Sequence, residues 1–242
     1  MKTMSQKERQ QMMLNAPVQK IIPKLAVPSI ISMLITAIYN MADAFFVSQI
    51  GTSASGAVGV IFSAMAIIQA VAFMIGMGSG TNVSQALGAG DTEKAKRYAA
   101  TGFFTAFIVG VVIMLLGLLN IDPLVRFLGA TETIAPYARD YAQYIFFGAP
   151  FIMCSFAMNN LLRFEGLAFY GMIGITSGGI LNMVLDPILI FGFGMGTAGA
   201  ALATAISQAV SVPSSVSTES ATSLIKSMAR ISPSISRSSC AK

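Results

Sequence analysis

The sequence predicts an all-α integral membrane protein built as a six-helix transmembrane bundle. Of its 242 residues, 55% are hydrophobic and only 10% are charged, and the mean hydropathy is +0.72. Soluble domains carry about 25% charged residues, so this chain has too few charges to cover a water-facing surface of its size. Long apolar stretches also recur along it. The composition therefore argues against a soluble enzyme.

Six stretches are candidates for membrane spans, because a spanning helix needs about 20 mostly apolar residues. We place them at residues 25–49, 57–80, 98–119, 141–162, 172–193 and 197–212. The first is not a signal peptide, because it is too long and no small-residue cleavage site follows a short apolar region. The sixth would be about 24 Å long at 1.5 Å per residue, which is short of a core of about 30 Å. We therefore expect the sixth helix to be truncated.

The distribution of basic residues predicts the orientation of the bundle. If six spans alternate, only Arg126 and Arg139 fall on one side of the membrane. The other basic residues fall on the opposite side: Lys2, Lys7, Arg9, Lys20, Lys24, Lys94, Lys96, Arg97, Arg163, Lys226, Arg230, Arg237 and Lys242. Because basic residues are enriched in cytoplasmic loops, both termini are predicted to be cytoplasmic. The positive charge follows topology, so we do not expect nucleic-acid binding.

The two ends of the chain differ in composition from the predicted bundle at 25–212. Residues 1–24 are predicted to form a cytoplasmic N-terminal tail. Residues 213–242 are rich in serine and lack long apolar runs, which is typical of a flexible tail. An alternative is that this segment is the out-of-frame end of a longer coding sequence.

Two aspartates lie inside predicted spans, whereas the other acidic residues lie in tails, connections or span edges. Asp43 is in the first span and Asp186 is in the fifth. An ionisable residue at the centre of a membrane costs at least about 2.5 kcal/mol on insertion scales and is by default a functional candidate. Both spans run outward and reach their aspartate late, so both carboxyl groups are expected in the outer half of the membrane.

Polar residues near these aspartates predict a shared pocket. Tyr39 precedes Asp43 by four residues and Asn182 precedes Asp186 by four, so the members of each pair share a helix face. The sixth span runs inward and carries Thr204 about two turns below its outer end. The predicted pocket holds Tyr39, Asp43, Asn182, Asp186 and Thr204. The simpler alternative is that these groups form hydrogen bonds that only join the helices.

Such a pocket could bind either a proton or a sodium ion, and the sequence does not distinguish between these two functions. Removal from water disfavours the charged form of a carboxyl group, so an aspartate could bind and release a proton. Alternatively, oxygen atoms of Asp43, Asn182, Asp186 and Thr204 could hold a sodium ion. Either use makes the pocket a coupling-ion site of a secondary transporter. We expect no cofactor, because the chain lacks histidine and has no phosphate-binding loop.

Two glycine patterns have competing interpretations. Gly194, Gly196 and Gly199 match a dinucleotide-binding pattern, but they fall in a short turn between two predicted spans rather than after a strand. Three pairs match the GxxxG pattern of closely packed membrane helices, although the last pair crosses the turn. These pairs are Gly76/Gly80, Gly174/Gly178 and Gly192/Gly196.

The order of several segments resembles the N-terminal lobe of multidrug and toxic compound extrusion (MATE) transporters. The segments are LAVPSIISMLITAIYNMADAFFVSQIG, SQALGAGDTEKAKR, LRFEG and LNMVLDPILIFGFGMGTAGAALATAISQ. The resemblance covers about residues 18–211. It implies one lobe of a twelve-helix transporter that exports small amphiphilic cationic drugs or dyes in exchange for protons or sodium ions. It also assigns Tyr39, Asp43, Asn182, Asp186 and Thr204 to the ion-coupling network, and adds Tyr141 and Asn159.

The same resemblance implies a multi-pass protein of the cytoplasmic membrane that is not an enzyme. Alternating access needs two bodies that move against each other, so a second lobe or a second copy of the chain is an expected partner. Three other readings stay open: a lipid-linked precursor flippase of related architecture, an intramembrane aspartyl protease, and a remnant that does not transport. The protease is disfavoured because Ala42 and Leu185 precede the two aspartates, where such enzymes typically carry Tyr-Asp and Gly-x-Gly-Asp.

Overall fold

The structure is a computed structural model that describes residues 17–215. We number its α-helices α1 to α7 in chain order. They are α1 (Val18–Ser48), α2 (Thr52–Gly88), α3 (Thr92–Leu119), α4 (Ile121–Phe127), α5 (Ala135–Phe164), α6 (Ala168–Pro187) and α7 (Thr197–Ser215). A π-helical turn, Ile188–Gly192, continues α6 directly. The all-helical fold predicted from the sequence is therefore confirmed.

Five of these helices are long and apolar enough to cross a membrane, and each matches one of the first five predicted spans. The sixth predicted span forms the shorter apolar helix Thr197–Val212 within α7. The helices extend beyond the apolar stretches, since α2 runs from Thr52 to Gly88. Likewise, α1 begins at Val18, within the segment assigned to the N-terminal tail. Residues 1–16 and 216–242, which hold most of both predicted tails, lie outside the described residues.

The short helix α4 is absent from the sequence-based prediction, which left residues 120–140 as a connection. Asp122 lies in its first turn, where a negative charge interacts favourably with the helix dipole. Ile121 and Val125 are buried against the core. The segment is thus a helix that packs on the bundle, and it is too short to be found from hydropathy.

Helix α5 lies at the centre of the bundle. It packs against α2, α3 and α7, and also contacts α6 and α4. In its most apolar window 83% of the residues are buried, compared with 22–33% in the other four spans, although its hydropathy of 1.5 is the lowest of the five. The helix is surrounded by protein rather than lipid, so it can carry more polar side chains than its neighbours. The site described below uses several of them.

Glycines allow the helices around α5 to approach it closely. A Cβ atom on Gly110 of α3 would lie 2.6 Å from the Cα of Pro150 in α5. On α2, a Cβ on Gly76 would lie 3.1 Å from the Cα of Ala157, and one on Gly80 would overlap the Phe164 ring. The Gly76/Gly80 pair therefore packs as its GxxxG pattern predicts. Gly192 has open space around it and Gly196 lies in a turn, so this pair does not mark a helix contact.

The connection between α6 and α7 is irregular in a way that the sequence explains. Pro187 has no backbone N–H, so the ladder of helical hydrogen bonds is interrupted there. The π-helical turn follows, with the Phe193 N–H donating to the Ile188 carbonyl at 2.9 Å. Gly194 and Gly196 then adopt φ values of +66° and +58°, which other residues rarely adopt. These glycines thus reverse the chain between two helices, and no strand precedes them.

Replacement of Gly110 by alanine is expected to destabilise the bundle. The new methyl group would meet the backbone of Pro150, which cannot move aside, and overpacking of this kind costs about 1–3 kcal/mol. Thermal unfolding of the detergent-solubilised protein, followed by circular dichroism, should show a lower midpoint.

The matched control is Gly78→Ala on α2, where no neighbouring atom lies within 4 Å of the added carbon. This variant should unfold at or above the temperature of the parent, because alanine is a better helix former than glycine. Equal midpoints for the two variants would contradict the packing described here.

Candidate functional site

Four helices bring the predicted site residues to one end of the bundle. Asp43 lies near the C-terminal end of α1, and Asp186 lies near the C-terminal end of α6. Tyr141 is near the start of α5, and Thr204 is in the first half of α7. Because α1 packs on α6 while α7 packs on both α5 and α6, alternation of the chain direction places all of these residues at similar depth. The sequence-based placement of the two aspartates is consistent with this arrangement.

The first half of the site is formed by Asp43 and the aromatic residue Tyr141. The Tyr141 hydroxyl lies 3.5 Å from the Asp43 Oδ2 atom and 3.6 Å from the Met65 Sδ atom of α2. The Tyr141 side chain is completely buried and Asp43 is 8% exposed. The tyrosine hydroxyl thus has two possible acceptors, one on α1 and one on α2, away from bulk water.

The second half of the site is centred on Asn182. Its Nδ2 atom lies 3.3 Å from Asp186 Oδ1 and 3.4 Å from Thr204 Oγ1. The Thr204 hydroxyl donates to the Ala200 carbonyl at 3.1 Å within α7. Asp186 is fully buried. The amide of Asn182 therefore joins α6 to α7 and orients the Asp186 carboxyl group.

The two carboxyl groups share one electrostatic environment. Asp43 interacts electrostatically with Asp186, and both aspartates interact electrostatically with Tyr141. The ion pairs among the described residues are Lys96–Glu93 and Arg139–Asp122, which lie elsewhere. Within the described part of the chain, the two buried aspartates thus have no basic partner to balance their charge.

Several buried polar atoms at the site lack a hydrogen-bond partner within the described residues. Three of them are oxygen atoms that can accept: Asp43 Oδ1, Asp186 Oδ2 and Asn182 Oδ1. An unpaired buried polar atom usually costs about 1–3 kcal/mol, and such atoms are uncommon in native proteins. These acceptors are suited to a proton or to a small hard cation.

A polar cavity adjoins the site between α1, α5, α6 and α7. Its empty space, including the part open to the outside, is about 400 Å³. Its lining residues are Thr36, Tyr39, Ser155, Phe156, Asn159, Ile175, Gly178, Gly179, Asn182, Thr204, Ser207, Gln208 and Ser211. None of these is charged, and Asn182 and Thr204 belong to both the cavity and the site.

Tyr39 and Asn159 reach the cavity rather than the carboxyl groups. Gln208 of α7 lies 3.5 Å from the Tyr39 hydroxyl through its Nε2 atom. Asn159 is buried, and its Nδ2 atom has no partner among the described residues. Gly171 leaves room for this amide, since a Cβ there would lie 2.7 Å from Asn159 Nδ2. Asn159 is thus part of the cavity wall.

Among the residues at the site or cavity that were not identified from the sequence in this role, three form polar or sulfur contacts or lie on the Thr204 face. Gln208 and Ser207 face the cavity from α7, and Met65 contacts Tyr141 from α2. Ser207 lies three residues after Thr204 and Gln208 lies four after it, so helical spacing could have placed both on the Thr204 face. Methionine is common throughout the chain, so no sequence signal distinguishes Met65.

Comparisons with known proteins agree with this architecture. Residues 28–188 match the MatE family model. The FAD transporter of Shewanella oneidensis is 33% identical over 204 residues, which are 83% of this chain and 45% of that protein. The multidrug export protein MepA of Staphylococcus aureus is 32% identical over 193 residues, which are 79% of this chain and 43% of that protein.

Solved structures give the same result. A MOP superfamily transporter from Pyrococcus furiosus has a TM-score of 0.79 and 35% identity, over 84% of this chain and 45% of that one. A multidrug resistance MATE family transporter of the MOP superfamily, in an outward-facing conformation, has a TM-score of 0.80 and 34% identity, over 88% of this chain and 46% of that one. The chain thus spans about half the length of the proteins that it resembles.

Removal of either buried carboxyl group is expected to stabilise the bundle. Asp43→Asn and Asp186→Asn each replace a buried carboxyl group that has no basic partner among the described residues with an uncharged amide of similar shape, which removes the cost of burying a negative charge. We expect the thermal unfolding midpoint in detergent to rise in each variant, by the equivalent of about 1 kcal/mol or more.

Asp140→Asn is the control, because Asp140 is an exposed carboxyl group next to Tyr141 on α5. It should leave the midpoint nearly unchanged. Lower midpoints for both site variants would mean that the carboxyl groups support the packing of the helices.

Proposed function

The chain belongs to the MatE family, and we propose that it forms one lobe of a secondary transporter that exports drugs in exchange for cations. In this proposal Asp43 and Asp186 bind and release the coupling ion. Tyr141, Asn182 and Thr204 orient the two carboxyl groups, while Tyr39 and Asn159 line the adjoining cavity. The expected coupling ion is a proton or sodium.

The observation that carries this proposal is the pair of buried carboxyl groups with unpaired acceptor oxygens. Hydrogen bonds that only join helices would explain Asn182 and Thr204, but they do not explain two acidic groups without a basic partner in the described bundle. A cation bound at either carboxyl group would give a partner to the unpaired oxygen of that group, Asp43 Oδ1 or Asp186 Oδ2. Occupation by a proton or sodium ion would therefore remove the main electrostatic cost of the site.

The chemistry of the cavity supports small amphiphilic organic cations as substrates. Its wall carries the aromatic rings of Tyr39 and Phe156 among uncharged polar groups, and no lysine or arginine lines it. A cavity of this kind next to two acidic residues favours a positively charged or neutral ligand. It is less suited to the pyrophosphate of FAD or of a lipid-linked precursor, which would need basic residues.

Transport by alternating access requires a second body that moves against this lobe. The chain spans about half the length of the relatives that it matches, so we propose that it works with a second lobe or with another copy of itself. We also propose a multi-pass location in the cytoplasmic membrane with both termini on the cytoplasmic side, as the basic residues predict.

Substitution of either aspartate is expected to remove ion-driven export. Vesicles that contain the parent chain should release a fluorescent cationic dye when a proton or sodium gradient is applied. Asp43→Asn and Asp186→Asn should reduce this gradient-dependent release at least tenfold, because neither amide can change its charge. Asp140→Asn should retain the release of the parent.

Unchanged efflux in both aspartate variants would refute the assigned mechanism. A parent that binds the ion but releases no dye would indicate that the lobe is functional only with its partner. FAD added in place of the cationic dye tests whether this chain shares the substrate of the Shewanella FAD transporter. Efficient FAD release would refute the substrate assignment.

Replacement of Thr204 by valine should identify the coupling ion. Valine keeps the shape of threonine but removes the hydroxyl oxygen that would be a sodium ligand. With sodium coupling, we expect the sodium concentration for half-maximal binding to rise about tenfold. With proton coupling, the variant should differ little from the parent, because Asn182 still contacts Asp186. Binding of radioactive sodium and release of protons into a pH-indicator dye measure the two cases separately.

A further inference from the structure

We infer that Met65 is a positioning residue whose thioether accepts the hydrogen bond of the Tyr141 hydroxyl when Asp43 is occupied. When the coupling ion is a proton, the hydrogen bond between Tyr141 and Asp43 then reverses each time that Asp43 takes up or releases it. This inference rests on the proposed function and adds a residue from α2 to the site.

The geometry gives the Tyr141 hydroxyl two competing acceptors. Its oxygen is 3.5 Å from Asp43 Oδ2 and 3.6 Å from Met65 Sδ. A phenolic hydroxyl has a single proton, so it can donate to only one of them at a time. Sulfur is larger than oxygen, so 3.6 Å is a normal contact for a sulfur acceptor, whereas 3.5 Å is long for an oxygen acceptor. Rotation of the O–H bond can therefore direct the hydroxyl hydrogen to either acceptor.

In the charged state of Asp43, the carboxylate is the stronger acceptor. A hydrogen bond to an ionised group is about twice as strong as one between neutral groups, so Tyr141 donates to Asp43 Oδ2. The other titratable groups that act in this region are Tyr39 on α1 and Asp186 on α6. The Tyr39 hydroxyl lies against Gln208 and the Asp186 carboxyl group against Asn182, whereas the hydroxyl of Tyr141 is the one directed at Asp43.

In the neutral state, the Asp43 carboxyl group has its own proton to donate. Tyr141 is completely buried, so its hydroxyl cannot donate a hydrogen bond to bulk water. If it donates to Met65 Sδ, its oxygen is left free to accept the proton of Asp43. Both protons are then hydrogen-bonded. A sodium ion on Asp43 has a similar effect, because it draws electron density from the carboxylate and weakens it as an acceptor.

Without the thioether, the occupied state would leave one buried hydroxyl proton unpaired. Met65 therefore stabilises the ion-bound state relative to the empty state and makes the binding tighter. Nonspecific packing by Met65 would instead act on both states alike. This difference makes the role of the sulfur measurable.

The test measures the concentration of proton or sodium that gives half-maximal binding to the purified chain, with radioactive sodium and a pH-indicator dye as probes. Met65→Leu keeps the size of the side chain but removes the acceptor, and we expect the half-maximal concentration to rise about threefold to tenfold, as for the loss of one hydrogen bond. Met65→Gln restores an acceptor oxygen and should recover most of the affinity. Met153→Leu, a fully buried methionine of the same hydrophobic cluster, should have no effect.

A double-mutant cycle separates the proposed role from packing. In a Tyr141→Phe background there is no hydroxyl proton to receive, so Met65→Leu should cause no further change. If Met65→Leu has the same effect in both backgrounds, or no effect in the parent, the inference is wrong.

Asp43→Asn distinguishes this failure from failure of the proposed function. If ion binding is unchanged in Asp43→Asn, the coupling-ion assignment itself is wrong. If binding is lost in Asp43→Asn while Met65→Leu matches Met153→Leu, the coupling-ion assignment stands and only the role of Met65 is refuted.

Discussion

Close contact with α5 is the constraint on which the rest of the bundle depends. Glycine supplies this contact from two sides, because Gly76 of α2 and Gly110 of α3 lie where a side chain would meet the α5 backbone. From α5 itself, Gly148 admits Ala205 of α7, where a Cβ would lie 2.7 Å from the alanine methyl group. A lipid environment gives no hydrophobic force for association of helices, so their packing relies on such fits. Of these fits, the one at Gly148 holds α7, which carries Thr204, against α5, which carries Tyr141.

The same packing explains how an apolar bundle can contain the polar residues of the site. On α5, Tyr141, Ser155 and Asn159 are buried among protein atoms rather than exposed to lipid. Asn182 then distributes its two amide protons between Asp186 and Thr204. These hydrogen bonds give partners to some of the buried polar atoms, whereas three acceptor oxygens have no partner among the described residues. Unpaired buried oxygens destabilise the bundle, and a bound cation would remove that destabilisation. The stability of the bundle is therefore linked to ion binding.

Much of this arrangement could be predicted from the sequence, because hydropathy and helical spacing are both local signals. The lengths of the apolar stretches predicted five spans and a shorter sixth helix. The spacing of four residues predicted that Asn182 and Asp186 share a helix face. Contacts across helices are not encoded in spacing, so the proximity of Met65 to Tyr141 could not be derived. The resemblance to a family proposed Tyr141 and Asn159, and the predicted span limits placed Asn159 nearer to the cytoplasmic side than Asp186. In the structure Tyr141 contacts Asp43, whereas Asn159 lines the cavity. The helix α4 was missed because seven residues are too few for a hydropathy signal.

The π-helical turn after Pro187 has a mechanical consequence. A regular α-helix transmits displacement along its axis through a continuous ladder of hydrogen bonds, and that ladder is interrupted one residue after Asp186. Proline is a common cause of such an interruption, and π-helical turns often occur at functional sites. Asp186 is the last residue of α6 before the proline, and its contact with Asn182 lies within the regular part of the helix. The chain reversal at Gly194 and Gly196 lies beyond the interruption, so a continuous helical ladder does not connect it to the acidic residue.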